Sequence, residues 1–356
     1  MLAGQVLVAG FAGTDAPDEL LRPSARGELA GVILFKRNLG TMHQIASLIA
    51  RIAESAPEHT PLLVAVDQEG GRVARLGAPV LKLPPMRSLA KLGDPALTER
   101  AAKLLGRQLR ALGFTMNFAP VLDVDTNPAN PVIGDRSFGE RPEQVIEQAY
   151  AFARGLESAD LLACGKHFPG HGDTDLDSHL ALPRLTHDRA RLDSVELAPF
   201  RVAKGRLPAI MTAHVVFESL HRGVPATLAR EVVTDLLRGE LGYEGAIISD
   251  DLEMKAIADH YGVEQAACLA IEAGCDTLLV CSRLDWLERA RVALAERASR
   301  DPTFKSRLED AARRTLALRT ACPPRPITDP RALERALEVD AAETLGQELA
   351  SRVQSS

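Results

Sequence analysis

The chain has no CxxC pair. Its five cysteines, Cys164, Cys268, Cys275, Cys281 and Cys322, are odd in number and scattered. That pattern in a long chain argues against a disulfide framework and fits reduced thiols in a cytosol. No apolar run is long enough to span a bilayer. The opening "MLAGQVLVAGFAGTDAPDELLR" has no Lys or Arg before Arg22, and Gln5 interrupts its short apolar stretch. A secretory signal needs a positive region first, so "QVLVAGF" reads as a strand and the protein as soluble and cytoplasmic, with no membrane partner. Positive charge is not in excess either: 42 Lys and Arg face 48 Asp and Glu, a formal net charge of -6. Nucleic-acid binding needs clustered basic residues to neutralise phosphates, which argues against that partner class. Internal repeats and low-complexity linkers are lacking. A Gly-rich phosphate fingerprint is also missing after the first apolar run, where "AGFAGTD" is only a weak match.

What is present is a chain of 356 residues, 46% hydrophobic and 25% charged, enough for a sizeable core. Short apolar runs alternate with longer segments of helical spacing. The strand candidates are "VLVAG" (6–10), "GVILF" (31–35), "LLVAVD" (62–67), "TMNFAPVLDV" (115–124), "LLACGKHF" (161–168), "AIMTAHV" (209–215), "GAIISDD" (245–251) and "TLLVC" (277–281). Segments such as "MHQIASLIARIAESA", "LDSVELAPFRVAKG" and "LAREVVTDLLRGELG" read as the intervening helices. Near-continuous apolar strands belong to a parallel sheet buried on both faces. Eight strand–helix units indicate an α/β fold, a single-domain (β/α)8 TIM barrel, over residues 1–320. An open doubly wound sheet is the competing arrangement. After "ACPPRPITDP" breaks the pattern, residues 321–356 read as a C-terminal extension, a charged helix appended to the barrel.

In a parallel barrel the active site lies at the C-terminal ends of the strands. The third run ends in Asp67 and leads into "QEGGRVAR" with Arg72 and Arg75. The fourth ends in Asp123, followed by a long loop containing Arg136. The fifth ends in Lys166 and His167, the sixth in His214, and the seventh in Asp250 and Asp251. One charged strand end is usually just solvated; five on one face point to an enzyme. Strand alternation implies that Asp250 and Asp251 do not both face the barrel axis. Periodicity leaves open which one does, and whether both instead cap the following helix.

The stretch "CGKHFPGHGDTDLDSHLALP" gathers His167, His171 and His179 with Asp173, Asp175 and Asp177. Three readings compete: a metal site, a solvated polar turn, and a catalytic loop. Pro169 and Gly170 prevent the helix that would align His167 with His171 as ligands. Asp177, two residues before His179, would hold an imidazole's tautomer and raise its basicity, as a proton shuttle requires.

The segments "VAVDQEGGRVARL", "NFAPVLDV", "GDRSFG", "GKHFPGHGDTDLDSH", "IMTAHV" and "GAIISDDLEM" together resemble bacterial β-N-acetylhexosaminidases of glycoside hydrolase family 3, in the single-domain, peptidoglycan-recycling form. The resemblance runs, in order, from about residue 3 to 320. It implies a retaining exo-β-N-acetylglucosaminidase that releases terminal β-linked GlcNAc from peptidoglycan-derived fragments and uses neither metal nor cofactor. It assigns the nucleophile to Asp250 and the acid/base to His179, with Asp177 as its partner. Sugar binding falls to Asp67, Arg75, Arg136, Lys166 and His167, with His214 lining the same pocket. His171, Asp173 and Glu69 are left to loop architecture. The alternatives are a glycoside phosphorylase on the same scaffold, a metal-dependent barrel hydrolase and a non-catalytic glycan-binding barrel. Retention of both Asp250 and His179 disfavours the last.

Overall fold

The computed structural model describes residues 2–178 and 182–355. Eight parallel strands close a barrel: β1 (Leu7–Ala9), β2 (Gly31–Leu34), β3 (Leu63–Val66), β4 (Met116–Asn117), β5 (Leu162–Phe168), β6 (Ala209–Thr212), β7 (Ala246–Asp251) and β8 (Thr277–Val280). Each pairs with its neighbours in chain order, and β1 closes on β8 through Leu7 opposite Leu278 and Ala9 opposite Val280. This is the TIM-barrel arrangement, and it displaces the open sheet.

The apolar strands are explained by two separate cores. Val8, Ile33, Ala65, Met211, Ile248 and Leu279 fill the barrel interior. Their chain neighbours, including Leu7, Val32, Val64, Ile210, Ile247 and Leu278, pack outward against the helices. Burial on both faces removes the polar half of the strand pattern, which is why the runs read as continuous.

Two expected elements are broken, both at proline. The fourth strand is regular for only two residues because Pro120 has no N–H for the ladder. Pairing resumes irregularly where the Leu122 N–H donates to the Lys166 carbonyl at 2.6 Å. "LDSVELAPFRVAKG" forms two short helices, Arg189–Ser194 and Ala198–Arg201, with Pro199 in the first turn of the second.

The C-terminal extension is also two helices rather than one, Pro330–Ala336 and Val339–Gln354. Leu333, Leu337, Ala342, Leu345 and Leu349 join the outer core. Gln108, in the helix Pro95–Leu112, donates to the Leu337 carbonyl at 2.6 Å. The extension is therefore docked on the barrel's helical layer, with Arg107–Glu338 and Arg352–Asp94 pairs at its edge. Among the described residues no helix is long and apolar enough to cross a membrane.

Candidate active site

A cavity of about 200 Å³ opens at the C-terminal ends of the strands. Its lining combines apolar Ile33, Phe35, Phe118, Met211, Met254 and Leu279 with a polar wall of Asp67, Arg75, Lys166, His167, Asp250 and Asp251. Its volume is on the scale of one sugar ring, smaller than the pockets of drug-sized ligands. A larger groove of about 490 Å³ lies between Ala78–Pro84 and the last helix, but among the described residues Lys82 and Glu343 are the only ionisable side chains lining it. The ionisable side chains gather at the smaller cavity.

The polar wall is held by buried ion pairs. Lys166 Nζ lies 2.7 Å from Asp67 Oδ1 and 2.6 Å from Glu69 Oε1. Arg75 stands 3.6 Å from the other Asp67 oxygen. Burial disfavours the Lys166 ammonium, but Asp67 and Glu69 outweigh it and raise its pKa, so the charge persists. Arg136 grips Glu69 bidentately at 2.9 and 2.8 Å. Burial pushes the Glu69 carboxyl up; Arg136 and Lys166 overcome this and hold it well below the usual glutamate range. Glu69 is thus the anion on which two cations are mounted. Arg136 is engaged by Glu69 just behind the cavity's described lining, and its expected role in bracketing the sugar is a proposal.

Glu69→Gln would leave Arg136 and Lys166 buried without their shared counter-charge. We expect it to cost about 3–5 kcal/mol of stability, measured by denaturant unfolding at pH 7. Because the folded-state pKa is depressed, the pair's contribution is present above the ordinary glutamate range and is lost as pH falls through the folded value. The variant should therefore show a weaker acid-side loss of stability than the parent.

His167 is fixed by Asp123. Its backbone N–H lies 3.2 Å from both carboxylate oxygens, and Nδ1 is 2.7 Å from Oδ2. Burial raises the Asp123 pKa, but the neighbouring His167 and His171 reverse that and lower it overall. A carboxylate at Nδ1 leaves Nε2 as the ring's remaining polar edge. The register of β5 against β6 shifts between Lys166 and Phe168, and both Lys166 and His167 reach the cavity wall.

A similar irregularity changes the reading of β7. Its pairing with β8 shifts between Ile248 and Asp251, and Asp250 and Asp251 both line the cavity. Strict alternation fails because the strand is bulged. The two carboxylates remain distinct. Asp250 Oδ1 accepts the Asp251 N–H at 2.8 Å. Asp251 Oδ1 accepts the N–H groups of Glu253 and Cys281, tying the ends of β7 and β8 together. Burial, opposed by those bonds and reinforced by the charges of Glu253 and Asp250, pushes Asp251 up to about 7. His214 sits behind this wall rather than lining it: Nδ1 bonds Thr227 Oγ1 and Nε2 bonds the Asp251 carbonyl, each at 2.9 Å.

The loop after β5 is pinned at its start. Gly170 has φ +140°, and a Cβ on Gly172 would lie 1.9 Å from the Val124 carbonyl oxygen, so neither position accepts a side chain without rearrangement. Asp173 accepts from Thr126 Oγ1 at 2.7 Å and contacts His187. Asn130 Nδ2 donates to the His171 carbonyl at 2.9 Å. Asp177 is half-buried. His179 lies outside the described residues.

Sequence reasoning passed over Phe35 and Arg37, which border the cavity. Arg37 lies over the Phe35 ring, 4.5 Å from its centroid, and donates through Nε to the Phe11 carbonyl at 2.8 Å. Both follow the second strand directly, so the strand-end rule applied there would have found them.

The family model for the glycosyl hydrolase family 3 N-terminal domain matches residues 5–318. The chain belongs to glycoside hydrolase family 3. A β-hexosaminidase of Alkalilimnicola ehrlichii is 42% identical over 289 residues, covering 79% of this chain and 82% of the relative. One from Neisseria meningitidis serogroup C is 40% identical over 293 residues, covering 80% and 79%. Among solved structures, a family 3 β-N-acetylglucosaminidase from Paenibacillus sp. FPU-7 matches with TM-score 0.88 and 39% identity, over 99% of this chain and 68% of that one. NagZ from Neisseria gonorrhoeae in complex with N-trifluoroacetyl-D-glucosamine matches with TM-score 0.81 and 30% identity, over 98% of both chains. The gonococcal protein has also been solved with a zinc ion. Among the described residues here, no three His, Cys, Asp or Glu side chains are grouped to hold a metal. This family 3 protein is a glycoside hydrolase, and the cavity at its barrel mouth is the candidate active site.

Proposed function

We propose that this family 3 hydrolase is a retaining exo-β-N-acetylglucosaminidase acting on terminal β-linked GlcNAc of peptidoglycan-derived fragments. The observation that carries the reading is a one-sugar cavity lined by Asp250 together with the ion-paired Asp67, Lys166 and Arg75. Its similarity to relatives named β-hexosaminidase supports the same reading. A cavity closed below by the barrel core suits removal of a terminal residue.

In the proposed mechanism a carboxylate oxygen of Asp250 attacks the anomeric carbon as the glycosidic C–O bond breaks. His179, oriented by Asp177, gives its proton to the departing oxygen. Water then attacks the same carbon, yields a proton to His179 and releases the Asp250 carboxylate. The pairing of a carboxylate nucleophile with a carboxylic acid/base is the more common arrangement for retaining glycosidases. Here the imidazole takes the second role. Asp67 accepts hydrogen bonds from sugar hydroxyls, Lys166 and Arg75 donate to them, and His167 contributes its Nε2 edge. Arg136, held by Glu69, brackets the sugar as well, and His214 supports the backbone of Asp251.

The test is incubation with β-linked GlcNAc disaccharides, with and without phosphate, and with and without a chelator, identifying the products. Free GlcNAc at an unchanged rate under all conditions is expected. GlcNAc 1-phosphate formed in phosphate would make the protein a phosphorylase. Loss of turnover in chelator, restored by zinc, would make it a metal-dependent hydrolase.

A further inference from the structure

We propose that His171 is a positioning residue for the acid/base loop, tying Ser178 to the wall of the cavity. Ser178 stands between Asp177 and His179, so this inference rests on the reading of His179 as the acid/base. The ring of His171 is 1% exposed. Its backbone N–H donates to Asp123 Oδ1 at 2.7 Å, and the same carboxylate holds His167 at the cavity. The His171 ring stands edge-on to the His167 ring, with centroids 5.9 Å apart. Its two nitrogens face Thr174 Oγ1 at 2.8 Å and Ser178 Oγ at 2.9 Å.

The hydrogen-bond inventory assigns the tautomer. Thr174 Oγ1 also lies 3.1 Å from the His171 carbonyl, which can only accept. With the Thr174 hydrogen given to that carbonyl, Oγ1 accepts from His171 Nδ1–H and Nε2 accepts from the Ser178 hydroxyl. Burial, with the nearby His167, pushes the imidazole down to about 4, which keeps Nε2 an acceptor at neutral pH. The Ser178 carbonyl is anchored independently, accepting the Ala256 N–H at 3.3 Å from the segment that follows Asp250 and Asp251. A continuous path thus runs from His167 through Asp123 and His171 to Ser178. His171 thus bonds to the residue adjoining the proposed acid/base.

The experiment compares glycosylation rates of a GlcNAc disaccharide and an aryl GlcNAc glycoside with a good leaving group. The variants are Ser178→Ala, His171→Asn, their double and His179→Ala. Loss of one neutral hydrogen bond corresponds to about 3- to 10-fold. Ser178→Ala is expected to lose about that factor more on the disaccharide than on the aryl glycoside. The double variant should lose little beyond the worse single, because both break one bond. If Ser178→Ala slows both substrates equally, or neither, while His179→Ala retains its leaving-group dependence, the positioning role is overturned. If His179→Ala itself shows no leaving-group dependence, the acid/base reading fails instead. Ser178→Ala removes a single oxygen, so the comparison stands even where His171→Asn does not fold.

Discussion

Asp250→Ala should abolish turnover, by on the order of 10⁴-fold or more, as loss of a catalytic nucleophile generally does. Binding should persist, because the groups proposed to hold the sugar are assembled without Asp250. Lys166 is mounted on Asp67 and Glu69, and His167 on Asp123. Steady-state kinetics with calorimetric titration of GlcNAc would separate the two effects. Parallel loss of binding and turnover would make Asp250 a binding group. Asp251→Asn is the informative companion. Asp251 Oδ1 is committed to two backbone N–H groups, so its substitution should disturb the junction of β7 and β8 and lower activity less steeply.

The second large effect is expected at His179. A sugar alcohol leaves poorly without a proton, whereas a nitrophenolate leaves well unaided. General acid catalysis contributes roughly 10²–10⁴-fold, so His179→Ala should lose about that on a disaccharide and clearly less in glycosylation from an aryl glycoside. Deglycosylation should slow as well, since the same residue activates water, and a pre-steady-state burst of aryl alcohol is the expected signature. Asp177→Ala should weaken both steps more mildly by leaving the imidazole poorly oriented. Equal losses on the two substrates would remove His179 from the acid role.

The barrel was legible because each strand is buried on two faces, so eight apolar runs stood out from the helical segments between them. The polar strand ends were legible for the same reason: Asp67, Asp123, Lys166, His167, Asp250 and Asp251 stand at or near the ends of runs that otherwise carry no charge. What escaped the sequence depends on long-range pairing. The bulge that brings Asp250 and Asp251 to one cavity arises from the register of β7 against β8, and no local pattern encodes it. Glu69 looked like loop architecture because its partners, Arg136 and Lys166, lie 67 and 97 residues away in the chain. The engagement of Arg136 by Glu69 was hidden for the same reason, being a tertiary event. The extension read as one helix because the break before Val339 carries no proline; Glu338 instead turns there with φ 48°.

In the proposed mechanism Asp250 forms a covalent bond to the sugar. A fluorosugar donor that glycosylates quickly and deglycosylates slowly should add one sugar mass to the intact protein. Peptic mapping should place that mass on Asp250, and Asp250→Ala should take up none. A label on Asp251, or complete inactivation with no added mass, would contradict it.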